Sequence, residues 1–343
     1  MKAFISALAV FVCLSGLGFA APAESPAADD AVYDGQVYHI FFHSLILEPE
    51  LAFQSETAQG YDDWMTTRTE FKRILDKLYE NNFALADIEY VRDCKLNKTP
   101  FYFYKNKKPL IISVDDVNYY EYMKNDGFAN RLVVDEEGRV ATEVTTVSGD
   151  TVVDYEGDVM PVVDGFVAEH PDFSYNGAKG VVAVTGYQGV FGYRITTEKG
   201  DELVEDKKAA TRVADALKSS GWKIACHSYG HSLDFKDGSI TKEKLVGDIS
   251  KWEKLIAPVT GKTDIFVSPF GIMLSGERFA YLSAKGYDIY CAVGKNMNIS
   301  LNGGCMITER LNFDGFTMRN YPSRITSRFF DVKDIIDEKR PSA

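Results

Sequence analysis

Apolar runs alternate with amphipathic stretches along most of the chain. "QVYHIFFHSL" (residues 36–45) has the apolar, aromatic make-up of a buried strand. In "TTRTEFKRILDKLYENNF", Phe71, Ile74, Leu75, Leu78 and Tyr79 fall at helical spacing, and Thr67 with Glu70 forms a capping-box pattern. "PLIISVDD" is a short β-branched run, which predicts a buried strand with carboxylates at its C-terminal tip. After residue 179 the rhythm is regular. "GVVAVTGYQG", "WKIACHS", "TDIFVSPFG" and "YDIYCAV" predict strands; "DKKAATRVADALKSSG", "TKEKLVGDISKWEKLI" and "SGERFAYLSAKG" predict the helices between them, the first stopped by Gly221. Strands alternating with helices predict a parallel sheet wrapped by helices, either open or closed into a barrel. In both architectures ligands collect at the C-terminal ends of the strands.

From residue 117 to about 179 the pattern changes. "RLVVDEEGRVATEVTTVSGDTVVDYEG" alternates and turns like a small β-meander, with "DEEG" and "SGD" as hairpin punctuation. It reads as an insertion of about 117–179 beside the main fold. The main domain then spans 36–330, with 331–343 as a C-terminal tail.

The polar residues of interest sit at strand ends. Asp115 and Asp116 end one strand, His227 ends another with His231 four residues on, and "SPFG" (residues 268–271) ends a third. Two histidines at that spacing can share one face of a helical turn. A carboxylate with two imidazoles is a common ligand set for a divalent ion with open positions, zinc being the first choice and cobalt, nickel or iron the others. Each motif alone has a bland reading: a histidine pair is often structural, and paired aspartates at strand ends often cap a turn. Their convergence on successive strand ends is what favours a site.

Composition narrows the function. The net charge is −12, so nucleic-acid binding and broad attraction to anionic membranes are disfavoured. "MKAFISALAVFVCLSGLGFAAPA" is built like a signal peptide over 1–20, followed by a polar linker over 21–35. A secreted or cell-envelope-associated protein is expected, with no membrane span beyond that segment. Cys94, Cys226, Cys291 and Cys305 remain. If a disulfide forms, Cys291 with Cys305 is the pair, and free buried thiols are an equally open reading.

"ISVDD", "HSYGH" and "VSPFG" resemble, in order, the first, second and third motifs of the polysaccharide deacetylases (carbohydrate esterase family 4, NodB-like). "IFFHSL" resembles a strand near the start of the poly-N-acetylglucosamine deacetylase branch. The resemblance implies an α/β fold, a distorted (β/α) barrel of seven strands, here carrying a small β-rich insertion. It implies that Asp116, His227 and His231 hold the metal, and that Asp115 is the base that takes a proton from the attacking water. The chain near Phe270 and Ser268 would stabilise the oxyanion and bind substrate. The chain departs from the family pattern at two points. Val267 stands where the third motif has an arginine, and no histidine follows His231. His43, at the end of the first predicted strand, is the candidate general acid. His39 is read as structural. Arg310 is a candidate replacement for the missing arginine, with Asp314 orienting it or simply forming a turn. Tyr119, Tyr120 and Trp64 could stack on sugar rings or belong to the core.

The expected function is removal of N-acetyl groups from an amino-sugar polysaccharide by a metal-dependent hydrolase. Two alternatives stay open: a carbohydrate-binding protein on the same scaffold, impaired in catalysis, and a metal-dependent amidase acting on a non-sugar N-acyl group.

Overall fold

The computed structural model describes residues 29–341. The expected signal peptide and the first part of the expected linker lie outside them. Inside the span read as linker, Asp30–Val32 already pairs antiparallel with Tyr102–Tyr104.

Among the described residues, seven parallel strands close into a barrel: β1 (Tyr38–Phe42), β2 (Lys108–Val114), β3 (Gly180–Val184), β4 (Trp222–Cys226), β5 (Ile265–Val267), β6 (Ile289–Val293) and β7 (Cys305–Asn312). Each strand pairs with the next in sequence, and β7 returns to pair with β1 through Leu311 opposite Ile40 and Asn312 opposite Phe41. The ring is uneven. β3 and β4 share five paired positions, whereas β4 and β5 meet only at Cys226 opposite Phe266. All seven strands point the same way, so their C-terminal ends form one rim.

The elements follow from local chemistry. The helix Arg68–Glu80 starts at the expected capping box. Thr67 Oγ1 accepts from the Glu70 N–H (3.1 Å), and Glu70 Oε2 accepts from the Thr67 N–H (2.9 Å). Its apolar stripe, Phe71, Ile74, Leu75 and Leu78, is fully buried against the barrel, where the Phe71 ring packs edge-on to Phe42. Burying such a stripe outweighs helix propensity as a source of stability. The helix Gly200–Ser219 ends before Gly221, whose φ of +105° and closeness to the Gly177 carbonyl leave no room for a Cβ.

Between β2 and β3 the meander forms as three antiparallel strands, Arg131–Val134, Val140–Thr145 and Thr151–Asp154. A helix follows, Val159–Glu169, which the sequence pattern did not predict. Its valines, Pro161 and Gly165 are poor helix formers. Asp158 caps it by accepting from the Val159 N–H (2.7 Å), Pro161 sits in the tolerant first turn, and Val159–Val163 are buried. Burial decides its conformation.

The cysteines take the free-thiol reading. Cys291 and Cys305 are unpaired, as are Cys94 and Cys226. Cys291 lies opposite Thr308 in the β6–β7 register, and Cys305 is three residues further along, roughly 10 Å away at strand rise, beyond disulfide reach. The segment from 331, read as a C-terminal tail, packs onto the fold. Ile335 is fully buried, and Arg340 donates to both oxygens of Glu70 (2.6 and 2.8 Å), to Asp62 (2.8 Å) and to the Met65 carbonyl (2.7 Å). Glu70 is itself buried. Removing the Arg340 guanidinium leaves that carboxylate without its cation, so Arg340→Ala should lower stability by about 3–5 kcal/mol in urea unfolding. An unchanged midpoint would show that this clasp contributes nothing.

Candidate active site

The rim gathers the chemistry. At the end of β2 the Asp115 N–H donates to the Phe42 carbonyl (2.8 Å), extending the ladder by one residue. Asp116 then turns into the left-handed region (φ +57°), which aspartate tolerates better than most residues. After β4, His227 continues the ladder to the Val184 carbonyl (3.0 Å), and Ser228 (φ +60°) and His231 (φ +44°) bend the chain back. The two histidines therefore do not share a helical turn, as their spacing suggested. A loop folds them together, with ring centres 4.9 Å apart. Asp248, from the helix Lys242–Leu255, holds that loop by accepting from the Tyr229 and Gly230 N–H groups (2.7 and 2.8 Å). Phe270 is also left-handed (φ +55°), and its ring lies 4.4 Å from His231. Left-handed non-glycine residues cost of order 1–3 kcal/mol each and concentrate at functional sites.

Asp116, His227 and His231 each offer a ligand atom, and these atoms lie within 4.8 Å of one another. His227 Nδ1 is 2.8 Å from the Val267 carbonyl. A carbonyl only accepts, so Nδ1 carries the proton and Nε2 keeps its lone pair. The Tyr120 hydroxyl donates to Asp116 Oδ1 (2.6 Å) and in turn accepts from Thr185 (2.7 Å). Outer partners of this kind fix the orientation of metal ligands. The donor set fits a divalent ion with open positions.

Asp115 faces a different partner. Arg310, fully buried on β7, grips it with two parallel hydrogen bonds, Nη1 to Oδ1 (2.6 Å) and Nη2 to Oδ2 (2.9 Å). Burial alone would raise the Asp115 carboxyl; the charge and hydrogen bonds of Arg310, with His227 and His43 nearby, together outweigh it and hold the group at about 2. Val267 leaves the third-motif position without a cation, and Arg310 supplies one from another strand. Asp314 does not orient it. Its carboxylate caps the helix Gly315–Asn320 through the Thr317 N–H (2.7 Å) and accepts from the Asn312 amide (2.9 Å).

His43 lies at the same rim. Its Nδ1 is 3.1 Å from the Trp64 carbonyl, so Nδ1 carries the proton and Nε2 is the exchangeable nitrogen. His43, Asp115, Asp116, His227, His231 and Phe270 line one cavity of about 470 Å³, together with Trp64, Tyr122, Lys236 and Asn312. That volume suits a sugar-sized ligand.

Three expected contacts are not where the sequence put them. Ser268 is fully buried beneath the rim. Tyr119 is buried too, and its hydroxyl donates to Asp158 (2.5 Å). Tyr120 is the middle ring of a stack between Tyr122 and Tyr187 and acts on Asp116 rather than on the cavity. Tyr122 is exposed in its place, as is Trp64, which stacks on Phe316. Asn312 and Asp248 carried no local sequence signal. Only the strand-end position of Asn312, two residues after Arg310, could have pointed to it.

No family model matches the sequence, and no curated protein does. Solved structures do show likeness. The Streptococcus pyogenes deacetylase PplD, solved in complex with acetate, aligns at 10% identity and a TM-score of 0.49, covering 88% of this chain and 98% of its own. A de-N-acetylase from Aggregatibacter actinomycetemcomitans aligns at 15% and 0.48, covering 85% and 98%. IcaB from Ammonifex degensii aligns at 12% and 0.43, covering 75% and 83%.

Proposed function

We propose that this chain is an exported, metal-dependent hydrolase that removes N-acetyl groups from an amino-sugar polymer. The observation that carries the reading is one cavity at the barrel rim. It brings together the Asp116–His227–His231 ligand set, an arginine-clamped carboxylate and a histidine with a fixed tautomer.

Asp116, His227 and His231 would hold the ion. A divalent ion so bound lowers the pKa of a coordinated water to about 7 and polarises a carbonyl. Asp115 is ionised and held in one orientation, and it receives the proton of the attacking water. Hydrolysis then breaks the amide C–N bond. Acetate forms on one side, and the nitrogen must gain a proton before the amine leaves. His43 is placed to give that proton from Nε2, because its Nδ1–H is committed to the Trp64 carbonyl. Trp64, Tyr122 and Phe270 present exposed rings around the cavity, and ring faces suit the apolar face of a pyranose. This favours a sugar over other N-acyl substrates.

The test is metal analysis with acetate release from N-acetylglucosamine oligomers. About one divalent ion per chain and chelator-sensitive acetate release are expected. A bound ion with acetate released only from non-sugar N-acyl amines would move the reading to the amidase. A bound ion with oligomer binding but no release would make the protein a lectin-like binder.

A further inference from the structure

Beneath the cavity, the barrel interior holds a row of buried polar side chains that the mechanism above does not use. His39 on β1 is fully buried. Its Nδ1 lies 3.0 Å from Thr308 Oγ1 on β7, and its Nε2 lies 3.1 Å from Ser113 Oγ on β2. Ser113 Oγ is also 3.0 Å from Arg310 Nη1, on the nitrogen that grips Asp115 Oδ1 at 2.6 Å. The row thus links three strands and ends on the carboxylate.

Hydrogen-bond chemistry gives this row one direction. Arginine can only donate, so Ser113 Oγ accepts from Arg310. A hydroxyl can accept twice, but its buried proton also needs an acceptor; among the described residues the other partner of Ser113 Oγ is His39 Nε2, so the proton goes there, onto a bare lone pair. A neutral imidazole with a bare Nε2 carries its proton on Nδ1 and donates it to Thr308. Burial and the charge of Arg310 both disfavour a protonated His39, although Asp115 opposes them weakly. The guanidinium has little else to hold it. Its Nε is buried with no hydrogen-bond partner among the described residues, and the guanidinium lies over the Phe41 ring face, 4.3 Å away. Ser113 is therefore the neutral acceptor that sets the twist of the Arg310 plane, and His39 sets the rotor of Ser113.

We propose that His39 is a positioning residue, holding Ser113 in the acceptor state that aims Arg310 at Asp115. What Asp115 does for catalysis rests on the function proposed above; the hydrogen-bond direction does not.

The test has two arms. In the first, the imidazole ¹⁵N shifts of His39 are read in the full-length protein at pH 6–7, assigned by loss of the signal in His39→Gln. A neutral ring protonated on Nδ1 is expected. An Nε2–H tautomer or a charged ring would overturn the proposal, and this arm needs no activity. In the second, kcat and KM for acetate release are measured for His39→Phe, Ser113→Ala and the double variant. Misplacing a reacting group by an ångström costs about 10²-fold, so each single variant should lower kcat roughly 10- to 100-fold with KM and metal content unchanged. The double variant should lose no more than the worse single one, because either change cuts the same chain. His39→Gln, which can accept and donate at similar positions, should recover most of kcat. Losses that multiply, or that fall on KM, would overturn the proposal. Should His39→Phe fail to fold, Ser113→Ala and the tautomer decide it. If the wild type releases no acetate, a crystal structure of Ser113→Ala still reads the chain: Arg310 should turn off Asp115, and an unmoved guanidinium would count against the idea.

Discussion

Arg310→Met should lower stability by about 3–5 kcal/mol and, on the function proposed above, remove nearly all hydrolysis. Methionine roughly fills the space of the arginine stem, so the loss is electrostatic rather than a cavity effect. Asp115 is buried, and Arg310 provides both of its charge-assisted bonds. Without the cation, desolvation is unopposed by that charge and the carboxyl rises from its depressed value. The pH dependence has a definite sign. A carboxyl at about 2 in the folded chain, below the unfolded value, contributes stability that is present above pH ~4 and lost as the pH falls toward 2. In Arg310→Met that acid-side loss should shrink or reverse. Urea unfolding at pH 7, pH 4 and pH 2.5 measures both effects, and equal stability of variant and wild type at pH 7 would overturn the assignment.

The second large effect concerns the ligand set. On the function proposed above, Asp116→Ala and His231→Ala should each abolish metal retention after dialysis and reduce acetate release to background, with the fold retained. Outer partners of metal ligands are worth about 10- to 100-fold in affinity, and a ligand itself is worth more. Tyr120→Phe, which removes only the hydroxyl on Asp116, gives the internal scale: it should fall within that 10- to 100-fold range. Elemental analysis alongside circular dichroism checks the set. A His231→Ala protein that keeps its metal would remove His231 from the site.

Much of this was legible in the chain. The alternation of strands and helices, the Thr67–Glu70 capping box and the strand-end aspartates and histidines are local patterns, and local patterns are what sequence periodicity reports. The features that needed coordinates are contacts between distant segments. Arg310 meets Asp115 across 195 residues, so its role could be suspected but not placed. Asp248 supports the histidine loop from the helix Lys242–Leu255, and nothing around it marks it out. Helix Val159–Glu169 is set by burial against its own propensity. For Tyr119 and Tyr120 the sequence leaves a sugar surface and the core both open, and left-handed backbone at Asp116 and Tyr119 accompanies rings that are turned inward.

The closure of the ring between β1 and β7 bears on how the chain acquires its structure. Ile40 meets Leu311 only after almost the whole chain exists, so the contact that completes the barrel is among the most distant in sequence. Closing so long a loop is entropically costly, and folds dominated by such pairings form slowly. Until then β1 has one open edge, and the newest strand of the growing sheet has another. Both are apolar and ready to pair with any passing strand. The interval before Asn312 reaches Phe41 is therefore the period of greatest risk of aggregation, and slowing the arrival of β7 should lower the yield of folded protein more than any comparable delay earlier in the chain.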